Sequence, residues 1–131
     1  MKILLDTHAL LWFIEGDSQL SQNAKKLIED PKNEVYVSHI SFFEISIKLK
    51  IGKLQLLKSL RGIYDDALKA GIELIDLEFE HIENYQAVPL IADHRDPFDR
   101  VLIATALHED LSIITIDEKF ENYKHIINVI W

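Results

Sequence analysis

Short apolar runs alternate with helical stretches along the whole chain, and this alternation limits the fold more than any other feature. Lys2-Ile3-Leu4-Leu5 reads as a buried strand. It ends at Asp6-Thr7, and His8 to Ile14 then reads as a short helix closed by Gly16. Ser21 caps a second helix to about Glu29, with Leu20, Ala24, Leu27 and Ile28 on its apolar side. Asp30-Pro31-Lys32-Asn33 turns the chain into a second strand, Val35-Tyr36-Val37. Ser41 with Glu44 three residues on has the pattern of a capping box, and Gly52 stops the helix that follows. Leu60 to Ala70 is helical up to Gly71, Ile72 to Leu77 is a strand, and Phe79 to Val88 is a helix closed by Pro89. Asp96-Pro97 opens a further helix, with Pro97 at its first position and Asp99 at its third. Its run Val101-Leu102-Ile103-Ala104 has no polar side, so this helix is expected to be buried. Ser112 to Ile116 and Ile126 to Ile130 are the last strands, the first of them ending at Asp117. The pattern predicts an α/β fold in three layers: a mainly parallel sheet of five strands with helices on both faces.

A chain of 131 residues is expected to form one domain, 1–131, with a core that needs no disulfide or structural metal. Cysteine is absent, which removes thiolate zinc sites and fits a cytoplasmic location. No apolar run is long enough to span a bilayer, and Asp6 comes too early for a signal peptide, so no membrane association is expected. The net charge of -8 argues against broad nonspecific binding of nucleic acid. Local contact with phosphate remains compatible with it.

Four acids share one topological property. Asp6 and Asp117 follow strands, while Glu44 and Asp99 lie in the first turns of helices that follow or precede strands. In a parallel sheet the strand ends and helix starts meet at one end, so all four are expected to converge there. Two carboxylates about 4 Å apart repel by about 4 kcal/mol at an effective dielectric of about 20. Convergence therefore calls for a hard cation, and all-oxygen ligands favour Mg²⁺ or Mn²⁺. Each acid also has a plainer reading as a cap or turn residue, but four coinciding at one end is far less expected than any one alone. No Ser–His or Cys–His pair is evident, so the nucleophile is expected to be water.

These stretches resemble the motifs of PIN-domain ribonucleases. Leu4-Leu5-Asp6-Thr7-His8-Ala9-Leu10-Leu11-Trp12 is similar to the first motif. Ser41-Phe42-Phe43-Glu44-Ile45, followed by Lys48 and Gly52-Lys53-Leu54, is similar to the second. His94-Arg95-Asp96-Pro97-Phe98-Asp99-Arg100 with Leu102-Ile103-Ala104, and Thr115-Ile116-Asp117, resemble the third and fourth. The likeness is greatest to VapC-type toxins of toxin–antitoxin pairs. It implies an endoribonuclease that uses Mg²⁺ or Mn²⁺, with Asp6, Glu44, Asp99 and Asp117 as its catalytic acids and metal ligands, and an antitoxin as its inhibitory partner. Asp96 and Asp99 compete for the third place, and Asp99 is preferred because it directly precedes the apolar run. Thr7 and Thr115 are expected to orient the acids.

Lys48, Arg95 and Arg100, with Lys50 and Lys53, are the candidate basic rim for a phosphate backbone. For His8 and His94, which border the motifs, a structural hydrogen bond is expected before substrate contact. Glu73, Asp76, Glu78 and Glu80 are expected to face solvent. Trp12 and Phe13 are expected in the core or at an interface, and with Trp131 they form an apolar surplus that fits the homodimer implied by the resemblance. An antitoxin is expected to cover the Glu44 helix and the segment from Leu54 to Leu60. It would insert a cation, best an arginine, at the acids. The alternatives are the same fold cutting DNA, a PIN fold that only binds partners, or a Mg²⁺-binding receiver domain. The full acid set opposes the second, and the lone acid after the first strand opposes the third.

Overall fold

The computed structural model describes residues 1–91 and 94–131. Its sheet has five strands: β1 (Lys2–Leu5), β2 (Glu34–Ser38), β3 (Glu73–Ile75), β4 (Ser112–Ile114) and β5 (Val129–Ile130). All neighbours are parallel and their order is β3-β2-β1-β4-β5. The α-helices are α1 (Thr7–Glu15), α2 (Gln22–Glu29), α3 (His39–Lys50), α4 (Leu60–Lys69), α5 (Phe79–Asn84) and α6 (Pro97–Glu109). Short 3₁₀ turns cover Tyr85–Ala87 and Glu118–Tyr123.

β1 runs through the middle, with Ile3 level with Val35 on one side and Ser112 on the other. Its alternation sorts the core. Ile3 and Leu5 face one layer with Leu10, Ala24, Ile45 and Ile63 from α1 to α4, while Leu4 faces the other with Leu102 and Ile103 of α6 and Phe120. Every β1 side chain after Lys2 is fully buried, as a central parallel strand covered on both faces requires. Strand order runs outward from β1 in both directions, so the chain reverses its winding beside β1. Sheets of this kind bind ligands at that reversal, outside the carboxyl ends of the strands.

The elements match the expected order, with shifts at their ends. Strands β3 and β5 are the outer ones, each bonded to a neighbour on one side only. β3 is Glu73–Ile75, paired with Tyr36 to Ser38, rather than Ile72 to Leu77, and β5 is Val129–Ile130, paired with Ile113 and Ile114, rather than Ile126 to Ile130. The predicted helix from Phe79 to Val88 is α5 followed by a 3₁₀ turn. The cap of α3 is Ser38, whose hydroxyl accepts from the Ile40 N–H at 3.1 Å, and not Ser41, which is buried. Glu44 therefore lies in the second turn, outside any capping box. Trp12, Phe13 and Trp131 pack half-buried on the core, with Trp12 and Trp131 edge to face at 5.9 Å. The large apolar side chains that are exposed include Phe43, Phe79 and Ile82.

Candidate active site

Asp6 leaves β1 directly at the winding reversal. Its backbone N–H donates to Ile114 O on β4, and its carboxylate caps α1 by accepting from the Ala9 N–H at 2.7 Å. The side chain is buried, and burial raises its pKa from 3.8 to about 6. Hydrogen bonds from the Thr115 side chain and the Ala9 amide oppose that rise, while the charges of Asp117 and Glu44 add to it. Asp117 follows β4 and caps the 3₁₀ turn, accepting from the Lys119 N–H at 3.0 Å. Buried Thr115 accepts the Asp117 N–H at 3.0 Å and so ties the two acids together.

Asp99 occupies the third position of α6, as expected. One of its oxygens meets Nε2 of buried His94 at 2.9 Å. Burial raises the Asp99 pKa to about 6, and the charges of Asp96 and Glu44 add to it against the His94 contact. Asp96 is exposed and is occupied with capping, accepting from the Phe98 N–H at 2.9 Å. Glu44 reaches the same end of the sheet from α3 and is buried. Its Oε1 accepts from the Thr7 hydroxyl at 2.7 Å, and its Oε2 pairs with Lys48 Nζ at 2.8 Å.

Four acids from four elements thus meet at one end of the sheet and feel each other's charge. Ligand atoms of His94, Asp99 and Asp117 lie within 4.8 Å of one another. Buried Asp6 and partly buried Asp99, both pushed up to about 6 by desolvation and by neighbouring acids, are short of positive charge. Their donors are oxygens, the chemistry a Mg²⁺- or Mn²⁺-sized cation takes. Asp99 and Asp117 have carboxylate oxygens within 4.8 Å of each other, Asp6 interacts with Asp117 and Glu44 through charge, and both oxygens of Glu44 carry bonds from Thr7 and Lys48.

Arg100 is not part of a basic rim, contrary to the expectation from sequence. Arg100 is 2% exposed and turns inward, donating to Pro89 O at 2.7 Å, Val88 O at 2.9 Å and the Tyr85 hydroxyl at 3.2 Å. Its guanidinium also stacks 4.9 Å from the centre of the Tyr85 ring. It anchors the segment before α6 and cannot reach a phosphate. Lys48 is bound to Glu44, and Arg95 is exposed just before α6. His94 is the residue whose engagement with an acid the sequence did not reveal. A contact from residue 94 to residue 99 across Pro97 follows neither helical nor strand spacing.

A sequence model of the PIN domain family matches residues 3–126. Ribonuclease VapC22 of Mycobacterium tuberculosis is 26% identical over 132 residues, covering 94% of this chain and 92% of its own. The solved structure of VapBC2 from Rickettsia felis, bound to a DNA fragment from their promoter, aligns with TM-score 0.67 at 18% identity, covering 99% of this chain and 98% of that one. A toxin–antitoxin complex from Klebsiella pneumoniae aligns with TM-score 0.63 at 22% identity, covering 98% and 96%.

Proposed function

The chain belongs to the PIN-domain family, and on that premise we propose that it is an endoribonuclease dependent on Mg²⁺ or Mn²⁺, the toxin of a toxin–antitoxin pair. The observation that carries this reading is the convergence of Asp6, Glu44, Asp99 and Asp117, with Asp6 and Asp99 both raised to about 6. Asp6, Asp99 and Asp117 would hold the ion. Such an ion supplies an activated water and neutralises the charge that builds on a phosphate. Glu44 adds negative charge to Asp6 and Asp99 and holds Lys48, which is one-third exposed. Thr7 and Thr115 fix the directions of Glu44 and Asp6.

The kinship with a ribonuclease and the fold shared with toxin–antitoxin complexes support an antitoxin as partner. The acidic end suits an inhibitor that inserts an arginine between carboxylates. Exposed Ile82 lines an apolar groove with Ile40, Tyr85, Pro97, Phe98 and Val101, and exposed Phe43 packs against Phe98 at 6.0 Å. We assign this face to a homodimer, since contiguous apolar surface of this kind marks a protein contact.

The test is incubation with single-stranded RNA and, separately, with DNA, in Mn²⁺ and in excess chelator, beside Asp6→Asn. The expected result is RNA cleavage that needs Mn²⁺ and is lost in the variant. Cleavage undiminished by chelator would falsify the reading, and cleavage of DNA alone would replace its substrate.

A further inference from the structure

His94 is 1% exposed, and its ring is held against Phe120 and Tyr123, each with its centroid 5.4 Å away. Nε2 points at Asp99, while Nδ1 is buried with no hydrogen-bond partner among the described residues. That asymmetry decides what the ring does. A histidine that ligates a metal through one nitrogen almost always donates its other N–H to a partner. Were Nε2 a ligand here, the proton would sit on Nδ1, as a buried donor with no acceptor. Orphaned buried N–H groups are rarer and costlier than an acceptor left bare. With the proton on Nε2, the one donor of the neutral ring meets Asp99, and only a lone pair goes unused. A phenyl ring would fill the same space between Phe120 and Tyr123 with no orphaned nitrogen. What imidazole adds is one N–H on Asp99.

The chain's other fully buried histidine follows the same logic at a different place. His81 Nδ1 accepts from the Glu78 N–H at 3.1 Å, which leaves the Nε2 proton for Glu109 at 2.8 Å. Glu109 ends α6, roughly 15 Å from Asp99 at about 1.5 Å per residue. Glu78, His81 and Glu109 are close enough together to suggest a metal site. The tautomer makes them a tie between α5 and α6 instead.

We propose that His94 is a positioning residue: its Nε2–H holds one oxygen of Asp99, leaving the other for the divalent ion, and the imidazole itself stays outside the ligand set. This rests on the reading of Asp99 as a ligand. It makes the ligand set all oxygen, although the spacing of His94, Asp99 and Asp117 alone suits a nitrogen ligand equally well.

Two measurements test it together. Long-range ¹H–¹⁵N spectra of the imidazoles, taken at one pH without metal and at saturating Mg²⁺, are expected to show His94 protonated on Nε2 and bare on Nδ1 in both. A proton on Nδ1, or loss of the Nε2 proton when Mg²⁺ binds, overturns the proposal. The second is Mn²⁺ affinity of the wild type, His94→Gln and His94→Leu, with melting curves to establish that each is folded. Glutamine keeps a donor near the position of Nε2 and leucine does not. The expected loss is about tenfold or more in the leucine variant, with most of it recovered in the glutamine variant. Equal affinity in wild type and the leucine variant overturns the role of His94 while leaving the metal site intact. Wild type that binds no Mn²⁺ overturns the ligand set itself, and with it the proposed function. Should the leucine variant not fold, the spectra and the glutamine variant decide, and a glutamine variant as weak as Asp99→Asn counts against the proposal.

Discussion

Asp6 ionises against its burial, and this has a consequence for stability. Its pKa is 3.8 in an ordinary setting and about 6 in the fold, so the folded state holds the proton more tightly than the unfolded chain does. The associated stability is fully present below about pH 3.8 and is lost as pH rises through about 6. At about 1.4 kcal/mol per pK unit the loss is on the order of 3 kcal/mol in metal-free protein. Asp6→Asn cannot ionise. In chelator it is expected to be more stable than wild type above pH 6, with the advantage gone by pH 4, as urea unfolding across that range will show. A difference that does not change with pH would mean that the Asp6 charge is not the cause. The same variant is expected to lose at least about a hundredfold in cleavage rate, since a lost ion costs several kcal/mol of transition-state stabilisation. Asp99→Asn is expected to match it. Asp96→Asn keeps a capping oxygen and removes a nearby charge rather than a ligand, so its turnover should stay well above that of Asp99→Asn. Turnover measured in the opposite order would make Asp96 the ligand.

At the scale of the elements, Arg100 shows how charge can mislead. In sequence it sits beside Asp99 as a cation for phosphate. In the fold it lies on the inner side of α6 and ties down Val88 and Pro89. Arg100→Ala leaves two carbonyls without donors and is expected to destabilise the protein by on the order of 3 kcal/mol, seen as a lower melting temperature. Its kcat, measured well below that temperature, should change far less than in Asp99→Asn. An unchanged melting temperature with lost RNA binding would restore the phosphate role. The difference in legibility has a physical basis. Asp6, Asp99 and Asp117 were readable because strand ends and helix caps are local signals, and a parallel sheet gathers them at one end. The helix bearing Glu44 was readable, but its turn was not: Ser38 and Ser41 are both good caps, and β2 passing straight into α3 selects the first. Arg100 and His94 depend on what the segment from Tyr85 to Pro97 folds back upon, which no local spacing records.

For the molecule as a whole, two adjoining surfaces differ in character. One end of the sheet concentrates carboxylates, and beside it an apolar groove reaches solvent, with Ile82 in its lining and Phe43 packed on Phe98. No helix among the described residues is long and apolar enough to cross a membrane. Ile82→Asp places a charge on that face without touching an acid of the site, and light scattering is expected to report a shift from dimer to monomer at micromolar concentration. A wild type already monomeric there would remove the dimer. The central claim, that the carboxylates gathered beside β1 form a divalent-cation site, is tested most directly by calorimetric titration of the metal-free protein with Mn²⁺ at pH 7.5, beside Asp6→Asn and Asp99→Asn. Saturable binding is expected in the wild type, weakened at least about tenfold in each variant. Absence of binding in the wild type, or binding that neither substitution alters, would contradict it.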